Sequence, residues 1–330
     1  MVVAALVAFM AGLVSARLPL SVVVLEILLG IAIGPDVLGF AERDKFLDFF
    51  SNLGLGMLFF FAGYEIDFER IRGGPLKLAV LGWVLSLVLA YSLGGLLTLT
   101  GLVLTLLFAG TALATTAIGT LIPVLSDAGE LRTRFGTYLL GAGAAGEFGP
   151  ILLITLVFST KGAATNVIIL AGFIVLAVAA AVVAARGVGR GWALLDRTLE
   201  TSGQLPIRLA VVLVFALGAL AASLGLDLLL GGFVAGVIAR MALQGHEVAV
   251  LESKLSAVGY GLLIPFFFVV SGINFDLTSL TGDPKRLLEL PLFLGLLLIV
   301  LARPRWCCTA ECSASAIVPP WPPSLPQDCR

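Results

Sequence analysis

An acid inside a long apolar run is the first feature of this sequence with chemical content. Glu147 stands at the middle of the run 135–159, within Gly141-Ala142-Gly143-Ala144-Ala145-Gly146-Glu147-Phe148-Gly149-Pro150. An ionised carboxylate in hydrocarbon is costly unless water or a partner reaches it. Such an acid therefore marks either a site that trades cations and protons, or a protonated carboxyl bonded to a neighbouring helix. Gly146, Gly149 and Pro150 thin the side-chain layer around it and interrupt helical hydrogen bonding, which opens room for an ion and water. The preceding run, 102–125, carries Thr111, Thr115, Thr116 and Thr120 beside Gly119, with Pro123 further on. Their hydroxyls either bond back to their own helix or belong to an unwound segment that coordinates a cation beside Glu147. Oxygen-only ligands suit a hard alkali ion, so Glu147 is the candidate ligand of such a cation, with Thr115 and Thr116 next to it. The remaining acids read more plainly. Glu26 lies near the start of an apolar run and reads as a capped or interfacial acid as readily as a functional one. Asp227 reads as the cap of a helix, and His246-Glu247 as a solvated loop pair.

The elements that must hold these residues are membrane helices. Hydrophobic residues make up 59% of the chain and charged residues 12%, with a mean hydropathy of +1.10. A soluble protein keeps roughly a quarter of its residues charged, so here the exterior is solvated by lipid. Eleven apolar runs approach the ~20 residues needed to span a bilayer. They are 2–16, 18–38, 49–66, 75–98, 102–125, 135–159, 164–186, 206–224, 226–243, 255–275 and 286–302. The first lacks a basic leader and is followed by more apolar sequence, so it reads as a span and not a signal peptide. Loops after the odd-numbered runs hold fourteen Lys and Arg residues. The intervening loops hold five: Arg43, Lys45, Lys161, Lys285 and Arg286. The positive-inside rule then puts the N-terminus outside and the C-terminal tail in the cytoplasm of a multi-pass cell-membrane protein. A net charge of −1 gives no basic face for nucleic acid. No nucleophile–base pair or phosphate-cradling glycine loop is visible, so no enzyme activity and no cofactor is implied. Cys307, Cys308, Cys312 and Cys329 all fall at the far C-terminus, leaving the body without a disulfide framework or zinc spacing.

Two stretches recur in order. Gly30/Gly34 in the second run matches Gly232/Gly236 in the ninth, 202 residues on. Phe59-Phe60-Phe61-Ala62-Gly63 followed by Asp67 matches Phe266-Phe267-Phe268 to Gly272 followed by Asp276, 209 residues on. Seven spans separate the copies, so the repeats have opposite orientation, as in secondary transporters. The partners of runs 4 to 6 should extend to about residue 368, yet the sequence changes character after Leu301. Residues 303–330 hold all four cysteines and six of the fifteen prolines. The expectation is a membrane domain over 1–302 and a non-native or disordered tail over 303–330, with the natural reading frame lost near residue 303.

The chain resembles the cation:proton antiporter superfamily, in its Kef-type sodium/hydrogen exchanger branch. The resembling stretches are Leu25 to Pro35, Leu58 to Asp67, Thr115-Thr116-Ala117-Ile118 and Ile264 to Gly272. The resemblance implies an all-α polytopic fold of thirteen helices, about eleven of them present here. It also implies an inverted repeat, a homodimer, and a core domain sliding past a dimerisation domain. It places the ion site on the sixth helix at Gly146-Glu147 and makes Arg303 the counterpart of a basic residue in the eleventh helix. The implied partners are Na⁺ or K⁺, H⁺ and the lipid bilayer. A single acid, with Gly146 in the other position, implies electroneutral exchange. The alternatives are an ion-coupled symporter of small organic anions on a related fold, or a non-transporting fragment.

Overall fold

A computed structural model describes residues 1–17, 20–42, 44–65, 74–99, 106–116, 118–130, 133–157, 163–243, 248–282 and 291–300. Every regular element among them is helical: α1 (Val2–Ser15), α2 (Val22–Ile33), α3 (Lys45–Glu65), α4 (Gly74–Leu99), α5 (Leu106–Ala114), α6 (Ile118–Asp127), α7 (Arg134–Val157), α8 (Ala163–Leu199), α9 (Leu205–Leu224), α10 (Leu228–Ala242), α11 (Ala249–Val258), a π turn (Gly259–Leu263), α12 (Ile264–Ile273), α13 (Leu277–Thr281) and α14 (Pro291–Val300). Among the described residues, four stretches are long and apolar enough to cross a membrane: Lys45–Glu65, Lys77–Leu99, Leu205–Leu224 and Ala249–Ile273. Five more apolar helices are shorter. Outward-facing Phe9, Ile168, Val175 and Val183 are each at least 66% exposed, a surface that suits lipid and not water.

The helix ends follow local chemistry. Asp227 caps α10, its Oδ1 accepting from Leu229 N at 3.1 Å, as expected from the sequence. Pro206 opens α9, where a missing N–H costs nothing, and Gly225 closes it at φ +79°. The run expected at 164–186 continues as helix to Leu199, because residues 187–199 contain no proline. The run expected to start at 255 begins at Ala249 with a more polar first turn that includes Glu252.

The core is built on two glycine crossings. At the first, α2 meets α12: a side chain at Gly30 would overlap the Val269 carbonyl oxygen, and one at Gly272 would overlap Ile27 O and lie 2.9 Å from Ile31 N. At the second, α3 meets α10: Gly236 abuts Phe60 O, while Gly63 abuts Phe233 O and lies 3.1 Å from Val237 N. These contacts match one for one if Gly30 corresponds to Gly236 and Gly272 to Gly63. Matched in this way, α2 and α10 stand 206 residues apart, against 202 for the G-x-x-x-G match in the sequence. A G-x-x-x-G pattern repeats every four residues, so the two registers differ by one turn. The contacts also give direction. Gly232 lies against Gly56 O and Gly236 against Phe60 O, so α3 and α10 run parallel. Gly54 meets Leu263 while Gly259 meets Phe61, so α3 and the α11–α12 rod run antiparallel. Both relations agree with the alternation of spans expected from the loops. Central α3 is buried continuously from Gly56 to Tyr64, as expected for a helix apolar all round.

A second group packs around α4, α5 and α7, with α6 against α7. There α14 joins through Phe293, Leu296, Leu297 and Val300, and Ser86 Oγ donates to Val300 O at 3.0 Å. The two groups meet at a narrow apolar seam. Ala62 of α3, Ile122 and Leu125 of α6 and Leu140 of α7 are buried there, with Ala144, Phe233 and Tyr260 packed against them.

Candidate functional site

The apolar run expected at 102–125 is not one continuous helix. Helix α5 ends at Ala114, α6 begins at Ile118, and the threonines occupy the break. Thr115 bonds back to its own helix, its Oγ1 donating to Thr111 O at 2.7 Å. Thr116 crosses to α7. Its N–H donates to Gly146 O at 3.1 Å and its Oγ1 to Gly143 O at 2.9 Å. Thr115 thus follows the back-bonding reading, while Thr116 lies in an unwound segment, the structural half of the other.

The crossing follows from two residues of α7. Pro150 stands four positions after Gly146 and has no N–H, so the Gly146 carbonyl lacks its intrahelical donor. Thr116 N–H, itself outside any helix, supplies that donor, and two backbone groups that would be orphaned satisfy each other. The contact needs a glycine. A Cβ at Gly146 would strike Thr116 Oγ1 and lie 3.0 Å from its Cγ2. Gly146 is thus buried under Thr116, and Glu147, the next residue round the helix, is half-buried beside the crossing. Each threonine hydroxyl has donated its hydrogen to a carbonyl, which leaves oxygen lone pairs for a cation.

Gly149 performs a similar service on another face. The benzo edge of the Trp83 indole, from α4, packs against it, and Trp83 Nε1 is buried with no hydrogen-bond partner among the described residues. Sequence pattern alone did not single out Trp83. Nor did it reveal the π turn, although Gly259-Tyr260-Gly261 shortly before Pro265 is a signal in hindsight. Pro265 denies Gly261 O its donor, and the flanking glycines allow the wider turn.

Glu26 is enclosed by protein. It is 3% exposed within α2, whose neighbours α1 and α12 carry no ionisable side chain. Arg303, His246, Glu247 and the boundary at 302/303 lie outside the described residues. One polar cluster outside the candidate site was also missed. Tyr64 Oη donates to Glu252 Oε1 at 3.0 Å, Arg240 Nη1 lies 3.8 Å from the same oxygen, and the Arg240 guanidinium sits 5.5 Å from the Tyr64 ring centre. Lys254 Nζ donates to Leu199 O, tying α11 to the end of α8.

Comparison with known proteins bears directly on this arrangement. The family model for the transmembrane region of sodium/hydrogen exchangers matches residues 4–310. YjbQ of Bacillus subtilis is 29% identical over 323 residues, covering 91% of this chain and 51% of its own length. The Na(+)/H(+)-K(+) antiporter GerN of Bacillus cereus is 28% identical, covering 80% of this chain and 68% of GerN. Cation/H(+) antiporter 19 of Arabidopsis thaliana is 26% identical over 79% of this chain and 35% of its own length. The chain thus spans about half the length of YjbQ and a third of the plant protein.

Proposed function

Because this chain belongs to the sodium/hydrogen exchanger family, we propose that it exchanges Na⁺ or K⁺ for protons across the membrane by alternating access, with both competing for the Glu147 carboxylate. The observation that carries this reading is the Thr116–Gly146 crossing. It sets a half-buried acid beside a helix break where hydroxyl and carbonyl oxygens of two helices are gathered by the close approach that Gly146 allows. The printed name of GerN, an antiporter of Na⁺, H⁺ and K⁺, supports the choice of ions.

In the proposed cycle Glu147 arrives protonated at one side of the membrane, releases its proton to water and becomes an anionic ligand. Thr115 and Thr116 add neutral oxygens. The cation is carried to the other side, where a proton displaces it. Because one carboxylate serves both, binding of either weakens the other reciprocally. The apparent affinity for Na⁺ therefore falls as pH falls through the titration of Glu147. The narrow apolar seam supports a sliding motion of the group containing α4 to α7 against the rest. The matched glycine crossings support an inverted repeat. The reading also includes a homodimer, an outside N-terminus, a cytoplasmic tail, and Arg303 as a basic partner near the site.

The test is cation-dependent proton movement in everted vesicles containing the full chain. Glu147→Gln keeps the size of the side chain but removes its charge, and is expected to abolish the signal. Wild-type rates in that variant would remove the claim.

A further inference from the structure

Three observations converge on Tyr260. First, it sits in the π turn Gly259–Leu263, the one departure from α geometry within the described span Ala249–Ile273. Such insertions in helices recur at functional sites, because they aim a side chain that regular geometry would direct elsewhere. Second, its hydroxyl is buried and has no hydrogen-bond partner among the described residues. Buried phenols ordinarily find one. Third, the ring packs on the seam formed by Ala62, Ile122, Leu125 and Leu140, against which Ala144 of α7 also packs. Ala144 and Glu147 stand three residues apart and share a face of that helix.

We propose that Tyr260 is a further residue of the ion path, its hydroxyl an oxygen ligand offered to the hydrated monovalent cation from the side of the seam opposite Glu147. The inference rests on the reading of Glu147 as the exchange carboxylate. A phenol oxygen accepts from a cation, or from its water, while remaining a donor. It stays neutral throughout, so it adds a ligand without adding a charge. Its position on the larger helix group also matters. A ligand there meets the cation only while the two groups present that register, whereas Thr115 and Thr116 travel with Glu147. Packing holds the ring in place: it stacks on Phe61 at 4.9 Å between centroids, and Gly259 leaves the room that Phe61 occupies.

The experiment is equilibrium binding of radiolabelled sodium to the purified full chain, with thermal unfolding run in parallel. Tyr260→Phe removes one oxygen and keeps the stack. It is expected to weaken binding about fivefold, the worth of one modest polar contact, with an unchanged thermal midpoint and unchanged pH dependence. Phe61→Leu loosens the stack that aims the ring but keeps the hydroxyl, and is expected to lose less binding than Tyr260→Phe does. Wild-type affinity in Tyr260→Phe overturns the inference, as does an equal loss in both variants. Binding that Glu147→Gln abolishes and Tyr260→Phe leaves intact refutes this inference alone. Sodium binding that survives Glu147→Gln refutes the exchange-carboxylate reading and this inference with it.

Discussion

Gly146 shows how much can depend on a missing side chain. Its carbonyl is freed by Pro150 and taken by Thr116, and its missing Cβ is the space Thr116 fills. Gly146→Ala should therefore push Thr116 off α7. The expected cost is about 1–3 kcal/mol of overpacking, read as a lower thermal midpoint in detergent, together with loss of exchange in vesicles. Thr116→Val removes the hydroxyl bonded to Gly143 O and should cost about 1 kcal/mol. Thr116→Ser keeps the hydroxyl and should restore most of the loss. Recovery in the valine variant would mean that Thr116 acts by bulk alone. At this scale the sequence was informative about identity and silent about pairing. An acid amid glycines in an apolar run stands out by its charge. That Thr116, rather than Thr115, crosses to α7 depends on where α5 stops.

Helices α2, α3, α10 and α12 are locked in pairs by backbone contact, so their glycines bear weight that neighbouring glycines do not. Gly236→Leu and Gly63→Val place side chains on the carbonyls of Phe60 and Phe233 and should prevent folding or sharply lower the thermal midpoint. Gly12→Ala meets nothing within 4 Å and should leave it unchanged or slightly raised, because alanine favours helix. Equal tolerance at all three positions would show that the crossings are not close-packed. The apolar runs made most helices legible, since crossing a bilayer demands length and hydrophobicity that sequence records directly. Less was legible where two solutions satisfy one pattern. The four-residue spacing of Gly30/Gly34 and Gly232/Gly236 admits registers one turn apart. The threonine-rich run likewise admitted either an unbroken helix or an unwound segment.

Across the whole molecule, two groups of helices meet at the Ala62–Ile122–Leu125–Leu140 seam, a division no local pattern announces because every run is apolar on its own. The polar cluster of Tyr64, Arg240 and Glu252 lies at one end of the larger group, at the ends of α3 and α10 that the proposed orientation would put in the cytoplasm. Arg240 and Glu252 remain partly exposed, so Glu252→Gln should cost at most about 1 kcal/mol, seen as a small drop in thermal midpoint that shrinks as salt is raised. The orientation has its own check. Membrane-impermeant thiol reagents should label the cysteines at 307, 308, 312 and 329 in everted vesicles and spare them in intact cells. The reverse pattern would invert the topology. The lid that Thr116 places over Gly146 reaches further than fit. With no room for a second carboxylate beside Glu147, the proposed cycle would trade one positive charge for another, so exchange in vesicles is expected not to respond to an imposed membrane voltage, a field that would otherwise contribute ~2.3 kcal/mol per charge at 100 mV. Acquiring voltage sensitivity would take two coordinated changes, an acid at position 146 and a smaller residue at 116. Either one alone spoils the contact that holds the site together.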